Sequence, residues 1–333
     1  MRYAQYVEKY SRKSEVVHLW HVFLILESIL RRGPRIFVDF FWFVRSNKIP
    51  LNYQQDKKYS TSRPPIIELL IVATEKDFDV LRPVILNALS SSLNQICELK
   101  IVVPSFGIES CHKVLRTFLL PLNLKVQILN EESVLDLKTR EFIKSNSDGS
   151  YGWLLQQFIK LKMALESDAG GILVVDADTI ILGKNVWLDS SGKQKLVAAA
   201  TRHTPYFDFL KDLNVLNGRP RYSFVVHHML YQPKILKRLL EQMNCSTFEE
   251  FSQKVLRHKG THKVSSLSID YELYGQFLFK YFGDLIHLQR FSNLSLPRDF
   301  LEQVGFEGDA DRLFGNDYNS ISLHSWNFRS REN

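Results

Sequence analysis

The chain has 333 residues, 45% of them hydrophobic and 24% charged, a balance that excludes a disordered or fibrous protein. Its three cysteines, Cys97, Cys111 and Cys245, are too few and too scattered for a disulfide framework or a zinc cluster, and they indicate a reducing, cytoplasmic setting. The net charge of +7 lies in residues 1–63, which hold 12 Lys/Arg against 5 Asp/Glu; the balanced remainder argues against a nucleic-acid groove.

Residues 1–63 read as a basic, amphipathic helical leader and linker, and residues 64–333 as one α/β domain. In the leader, Val16–Leu30 is apolar but interrupted by His18, His21, Glu27 and Ser28. Arg31, Arg32 and Arg35 then precede a second apolar run, Ile36–Val44. Neither run reaches the roughly 20 residues that span a bilayer, and no small-residue cleavage site follows. Aromatic and aliphatic side chains beside Arg and Lys suit a segment lying in a membrane interface. Residues 16–45 are therefore candidates for peripheral contact at the inner membrane face, with an α-hairpin packed on the main domain as the other explanation. Residues 46–65, ending in Pro64-Pro65, read as a linker.

Ile66–Ala73 predicts a buried strand, followed by Thr74-Glu75-Lys76-Asp77 as a polar turn. Val80, Leu81, Val84, Ile85, Ala88 and Leu89 recur at helical spacing over residues 79–91. Lys100–Val103 predicts the next strand, residues 109–119 a helix, and Lys125–Leu129 a third strand. This alternation predicts a Rossmann-type, mostly parallel sheet flanked by helices. No GxGxxG follows the first strand, so the dinucleotide fingerprint is absent. Thr74 and Asp77 stand where a nucleotide base can rest after that strand; capping of the next helix is the other use for Asp77.

Residues 152–162 predict a helix with two faces. Leu154, Phe158, Leu161 and Leu165 form an apolar stripe, and Trp153, Gln156, Gln157 and Lys160 fall on another face. Those polar groups either grip a sugar and a phosphate or simply face solvent. Gly171–Val175 then predicts a buried strand running into Asp176-Ala177-Asp178. Carboxylates there stand at the edge of the sheet where open α/β proteins bind their ligands. Hard oxygen donors suit Mg²⁺ or Mn²⁺, which leave positions for substrate phosphates.

Leu196–Arg202 predicts a further strand of the sheet, and Tyr222–Tyr231 a β-like run containing His227 and His228. Neighbouring strand residues point to opposite faces, so these two cannot easily ligate one metal; one of them can face an acceptor, a hydrogen-bonded structural histidine being the other explanation. Leu267–Phe282 predicts a helix with Asp270 in its first turn. That position is a good cap, and facing a cleft it would suit a general base for an acceptor hydroxyl. Glu272 is the neighbouring candidate. His324 follows a short apolar alternation late in the chain.

Ile-Val-Ala-Thr-Glu-Lys-Asp77, Gly-Trp-Leu-Leu-Gln-Gln-Phe-Ile-Lys160, Val-Val-Asp-Ala-Asp-Thr179, Ile-Asp-Tyr-Glu-Leu-Tyr-Gly275 and Ser-Ile-Ser-Leu-His-Ser-Trp-Asn327 occur in this order. Together they resemble a poorly characterised bacterial group of GT-A-type glycosyltransferases, a domain-of-unknown-function group with an Asp-x-Asp motif, over about residues 66–327. The resemblance implies a GT-A-like fold, a nucleotide-diphosphate sugar donor and a glycan or lipid-linked acceptor. It also implies a Mn²⁺ or Mg²⁺ ion at Asp176 and Asp178, with His324 as a third ligand from the tail. A glutamate is expected where this chain carries Asp270.

The leading expectation is thus a metal-dependent glycosyltransferase, in which Asp176 shares the cation or holds the ribose and Lys160 or Arg202 adds positive charge at the phosphates. Association with surface-polysaccharide synthesis fits a basic leader at a membrane. A haloacid-dehalogenase-like phosphatase also carries Asp-x-Asp, but on its first strand and with Thr or Val where this chain has Ile180. A non-catalytic membrane-surface scaffold is the third alternative.

Overall fold

A computed structural model describes residues 63–199, 203–216, 220–260, 262–298 and 310–324. The expectations placed on residues 16–45 and on Arg202 lie outside the described residues. Among the described residues no helix is long and apolar enough to cross a membrane.

Strand β1 (Ile67–Val72) leads through a 3-10 turn at Glu75–Asp77 into helix α1 (Phe78–Ser91). β2 (Ile96–Val103), α2 (Ile108–Leu115) and β3 (Lys125–Asn130) follow. Two short helices, α3 (Glu131–Val134) and α4 (Leu137–Ser145), precede α5 (Tyr151–Leu165) and β4 (Ile172–Asp176). Next come β5 (Thr179–Ile181), β6 (Gln194–Ala198), α6 (Thr204–Asp212) and β7 (His228–Tyr231). Helices α7 (Pro233–Gln242), α8 (Phe248–Arg257) and α9 (Tyr271–Tyr281) form one run. The described chain closes with β8 (Ile286–Arg290), β9 (Asn293–Pro297), α10 (Ala310–Phe314) and β10 (Ser320–His324).

The main sheet has the order β3-β2-β1-β4-β7, parallel throughout except for β7. This is the α/β architecture expected, with a mostly parallel sheet flanked by helices. Both faces are covered, which explains why β4 reads as an apolar run up to Asp176 and β1 as one broken only by Glu68, itself buried and paired with Lys100. Successive side chains alternate faces: Leu70 and Val174 pack with α5, α7 and α9, while Leu69, Ile71 and Val175 pack with α1 and β10. Val72 pairs with Asp176, so β1 and β4 end at the same level and their following turns lie side by side.

Two expectations about strands are corrected. Leu196–Arg202 does not continue the main sheet, because β7 occupies the free edge of β4; β6 instead pairs in parallel with β8. Of Tyr222–Tyr231 only the last four residues form a strand, since His227 takes a left-handed φ of 65° that breaks the run. Within α9, Gly275 rests directly on the ring of Phe224, and any larger residue there would collide with it.

β6 also buries a lysine. Lys195 is 4% exposed, donates to Asn185 Oδ1, and lies 4.7 Å from the Trp187 ring centre. Burial pushes its ammonium down to about 7. A lysine depressed in the folded state releases its proton there first, so the stability it contributes is present above its unfolded value of about 10.4 and is lost as pH falls toward 7. The unfolding free energy from urea titrations should therefore rise with pH between these limits, by about 1.4 kcal/mol per unit from this group. Lys195→Met should remove that rise; an identical pH slope in the variant would contradict it.

Candidate functional site

The carboxyl edge of the sheet gathers charged groups from four elements. Asp176 ends β4, and its carboxylate Oδ1 accepts from Lys160 Nζ of α5 at 2.7 Å and from the Tyr271 hydroxyl of α9 at 2.6 Å. On the other side Asp176 Oδ2 stands 3.3 Å from His227 Nδ1. The His227 carbonyl accepts the Asp176 N–H at 2.9 Å, so the left-handed residue closes the ladder and aims its ring at the carboxylate. A non-glycine residue at positive φ costs about 1–3 kcal/mol and persists where the surroundings fix it.

Lys160 is 3% exposed and bridges two carboxylates, its second partner being Asp270 Oδ2 at 3.1 Å. It also lies 4.6 Å from the Tyr271 ring centre. Burial disfavours its charge, but Asp176 and Asp270 outweigh that and hold the ammonium above its ordinary value. The Asp176 carboxyl is held in turn well below the usual carboxylate range, because Lys160 and His227 overcome the penalty of burial. The same pairing raises the His227 imidazole, again against its burial. Tyr271 is pushed well up by burial and the two aspartates, so it stays a donor.

Asp270 precedes α9, and its Oδ1 accepts the Tyr271 N–H at 2.8 Å. The capping expectation is thereby met. With 4% exposure and an oxygen on Lys160, Asp270 is buried in this arrangement rather than open to an acceptor. Glu272, the second catalytic candidate, is fully buried. It accepts from Ser223 Oγ at 2.5 Å, Phe224 N at 3.2 Å and Gln276 Nε2 at 2.6 Å, bonds that tie α9 to the segment before β7.

The polar face of α5 turns inward in part, which corrects a purely solvated reading. Gln157 is 2% exposed and its Oε1 accepts the Ile269 N–H at 2.9 Å, fixing the approach to Asp270. Trp153 and Gln156 are half-buried, with Trp153 packed on the core. Thr74 and Asp77 bond each other: Asp77 Oδ2 accepts from Thr74 N at 3.1 Å and Oγ1 at 3.0 Å. Asp77 thus braces the 3-10 turn and makes no side-chain cap on α1.

Asp178 sits half-buried in the turn between β4 and β5. Its carbonyl accepts the Leu323 N–H at 2.8 Å, which places the backbone of β10, ending at His324, beside the Asp-x-Asp turn. The His324 side chain lies outside the described residues. The histidine pair separates as expected: His228 is buried and packs on Trp187 with ring centres 5.6 Å apart, away from the Asp176 contact that His227 makes. Sequence reasoning assigned Tyr271 no role, and it gave His227 no more than a share in the expectation that one of the two histidines faces an acceptor. Only the Asp-Tyr pair at the helix start and the strand-breaking double histidine hinted at them.

Among the described residues, no three His, Cys, Asp or Glu side chains group to hold an ion. The donor chemistry nonetheless fits Mg²⁺ or Mn²⁺. Asp176 and Asp178 flank the turn, with Lys160 shared between Asp176 and Asp270 and His227 beside the second Asp176 oxygen. Such ions are commonly held by one or two carboxylates plus phosphates, which is the oxygen donor set that this turn offers.

No family model matches the chain, and no curated protein sequence matches it. Among solved structures, it is similar to the apo form of mouse xyloside xylosyltransferase 1, at 14% identity and a TM-score of 0.41, covering 78% of this chain and 98% of that one. It is also similar to the galactosyltransferase LgtC in complex with donor and acceptor sugar analogues, at 12% identity and a TM-score of 0.45, covering 77% and 86%. An active-site variant of LgtC gives the same values.

Proposed function

We propose that this chain is a glycosyltransferase that moves a sugar from a nucleotide-diphosphate sugar to a glycan or lipid-linked acceptor, with Mn²⁺ or Mg²⁺ at Asp176 and Asp178. The observation that carries it is the Lys160–Asp176–Asp270–Tyr271–His227 network at the carboxyl edge of the sheet, next to a half-buried second aspartate. An ionised, partly exposed carboxylate, braced on both oxygens, is preorganised for a cation. Among the described residues three strands precede the one that ends in Asp-x-Asp, which speaks against the dehalogenase-like phosphatase.

In this reading Asp178 and Asp176 hold the ion, with His324 as a third ligand. The bound cation would supply Lewis-acid assistance to departure of the diphosphate. Lys160 keeps Asp176 ionised and adds positive charge beneath the phosphates. Asp270 orients Lys160 and the start of α9 and is not the acceptor base, since its buried carboxylate already serves both. Thr74 and Asp77 shape the turn that meets the nucleotide base, and Trp153, Gln156 and Gln157 form the wall contributed by α5. Residues 1–63 act as a basic leader outside the catalytic domain of residues 64–333, suited to an acceptor at a membrane face in surface-polysaccharide synthesis.

The test is hydrolysis of a panel of nucleotide-diphosphate sugars with Mn²⁺, with Mg²⁺ and with a chelator. One donor should release its nucleotide only when metal is present. A protein that neither turns over nor binds any donor under these conditions would end this reading.

A further inference from the structure

Arg298, directly after β9, is the side chain that joins the two turns at the carboxyl edge. Its Nη2 bonds Asp77 Oδ1 at 2.7 Å and its Nη1 bonds Asp79 Oδ1 at 3.0 Å and the Lys76 carbonyl. Its Nε donates to the Leu323 carbonyl of β10 at 3.1 Å. Leu323 in turn gives its N–H to the Asp178 carbonyl at 2.8 Å. A continuous path of hydrogen bonds thus runs Asp77, Arg298, Leu323, Asp178, from the turn after β1 to the Asp-x-Asp turn after β4. β1 and β4 are neighbours in register, so both turns open to the same edge. The Arg298 side chain is only 14% exposed and that of Asp77 10%, which removes this pair from the class of weak surface bridges.

We propose that Arg298 is a positioning residue that locks the turn at residues 74–77 to the Asp-x-Asp turn, setting the distance between the base end and the cation end of the donor site. The proposal rests on the donor-site reading above for its purpose, and on the hydrogen bonds alone for its mechanism. Asp77 has one oxygen on Thr74 and the other on Arg298, so the turn's shape depends on both. The planar guanidinium meets separate acceptors on two segments at once, which an ammonium cannot reproduce.

The test compares wild type, Arg298→Met and Arg298→Lys by amide hydrogen exchange and by calorimetric binding of a panel of nucleoside diphosphates with Mn²⁺. In Arg298→Met, exchange should quicken by about tenfold or more at both Thr74 and Leu323, because local opening no longer breaks the guanidinium bonds. Nucleoside-diphosphate affinity should fall by about tenfold while the global melting transition stays cooperative, and Arg298→Lys should lie between. Faster exchange at one turn only, or binding within about twofold of wild type in folded Arg298→Met, would overturn the lock. Absence of nucleotide binding in wild type would instead defeat the donor-site reading, and the exchange data would still decide whether the lock exists.

Discussion

Lys160→Met is expected to lower stability by about 3–5 kcal/mol, because it strips the shared counter-charge from two carboxylates at once. Asp270 has 5% side-chain exposure and cannot recover hydration, whereas Asp176, at 23%, recovers some. Tyr271 and His227 would remain on Asp176, so the loss concentrates on Asp270 and the start of α9. For a domain of this size, that corresponds to a fall in Tm on the order of 10 °C. Lys160→Arg keeps the charge and, if it folds, isolates geometry from electrostatics. Urea or thermal unfolding of both variants decides the matter: a Lys160→Met protein as stable as wild type would show that the buried network contributes nothing.

The second large effect concerns Asp178→Asn. On the proposed reading, in which Asp178 holds the cation, the metal supplies several kcal/mol of charge stabilisation in the transition state, so losing that ligand should slow metal-dependent donor hydrolysis by at least about a hundredfold. Stability should change far less than activity, because Asp178 is half-buried in a turn, its bond to Leu323 runs through the backbone carbonyl, and asparagine keeps an oxygen to accept from the Thr179 hydroxyl. Activity and melting must therefore separate. Loss of fold together with activity would place Asp178 in the framework, and full activity in the variant would remove the cation from this turn.

Local pattern carried much of the framework. The apolar runs before Thr74 and Asp176, the helical spacing over residues 79–91 and the stripe of Leu154, Phe158 and Leu161 each depend on nearest neighbours, and each element formed where it was expected. The amphipathic α7 and α8 were equally readable from Ile235, Leu236, Leu239 and Leu240, and from Phe248, Phe251 and Val255, yet were not assigned. Asp176 and Asp178 stood out because a carboxylate directly after a fully apolar strand needs a reason.

The sequence by itself therefore determined the parallel α/β framework and the location of its carboxyl edge, because strand burial and helix periodicity are local properties of the chain. Only the tertiary structure decided which groups meet there. Lys160 reaches Asp270 across 110 positions, Tyr271 reaches Asp176 across 95, and Arg298 reaches Asp77 across 221. No periodicity encodes such pairings; they follow from which helix covers which face of the sheet. The same packing sent Glu272 into an internal network and left Asp270 as the partner of Lys160.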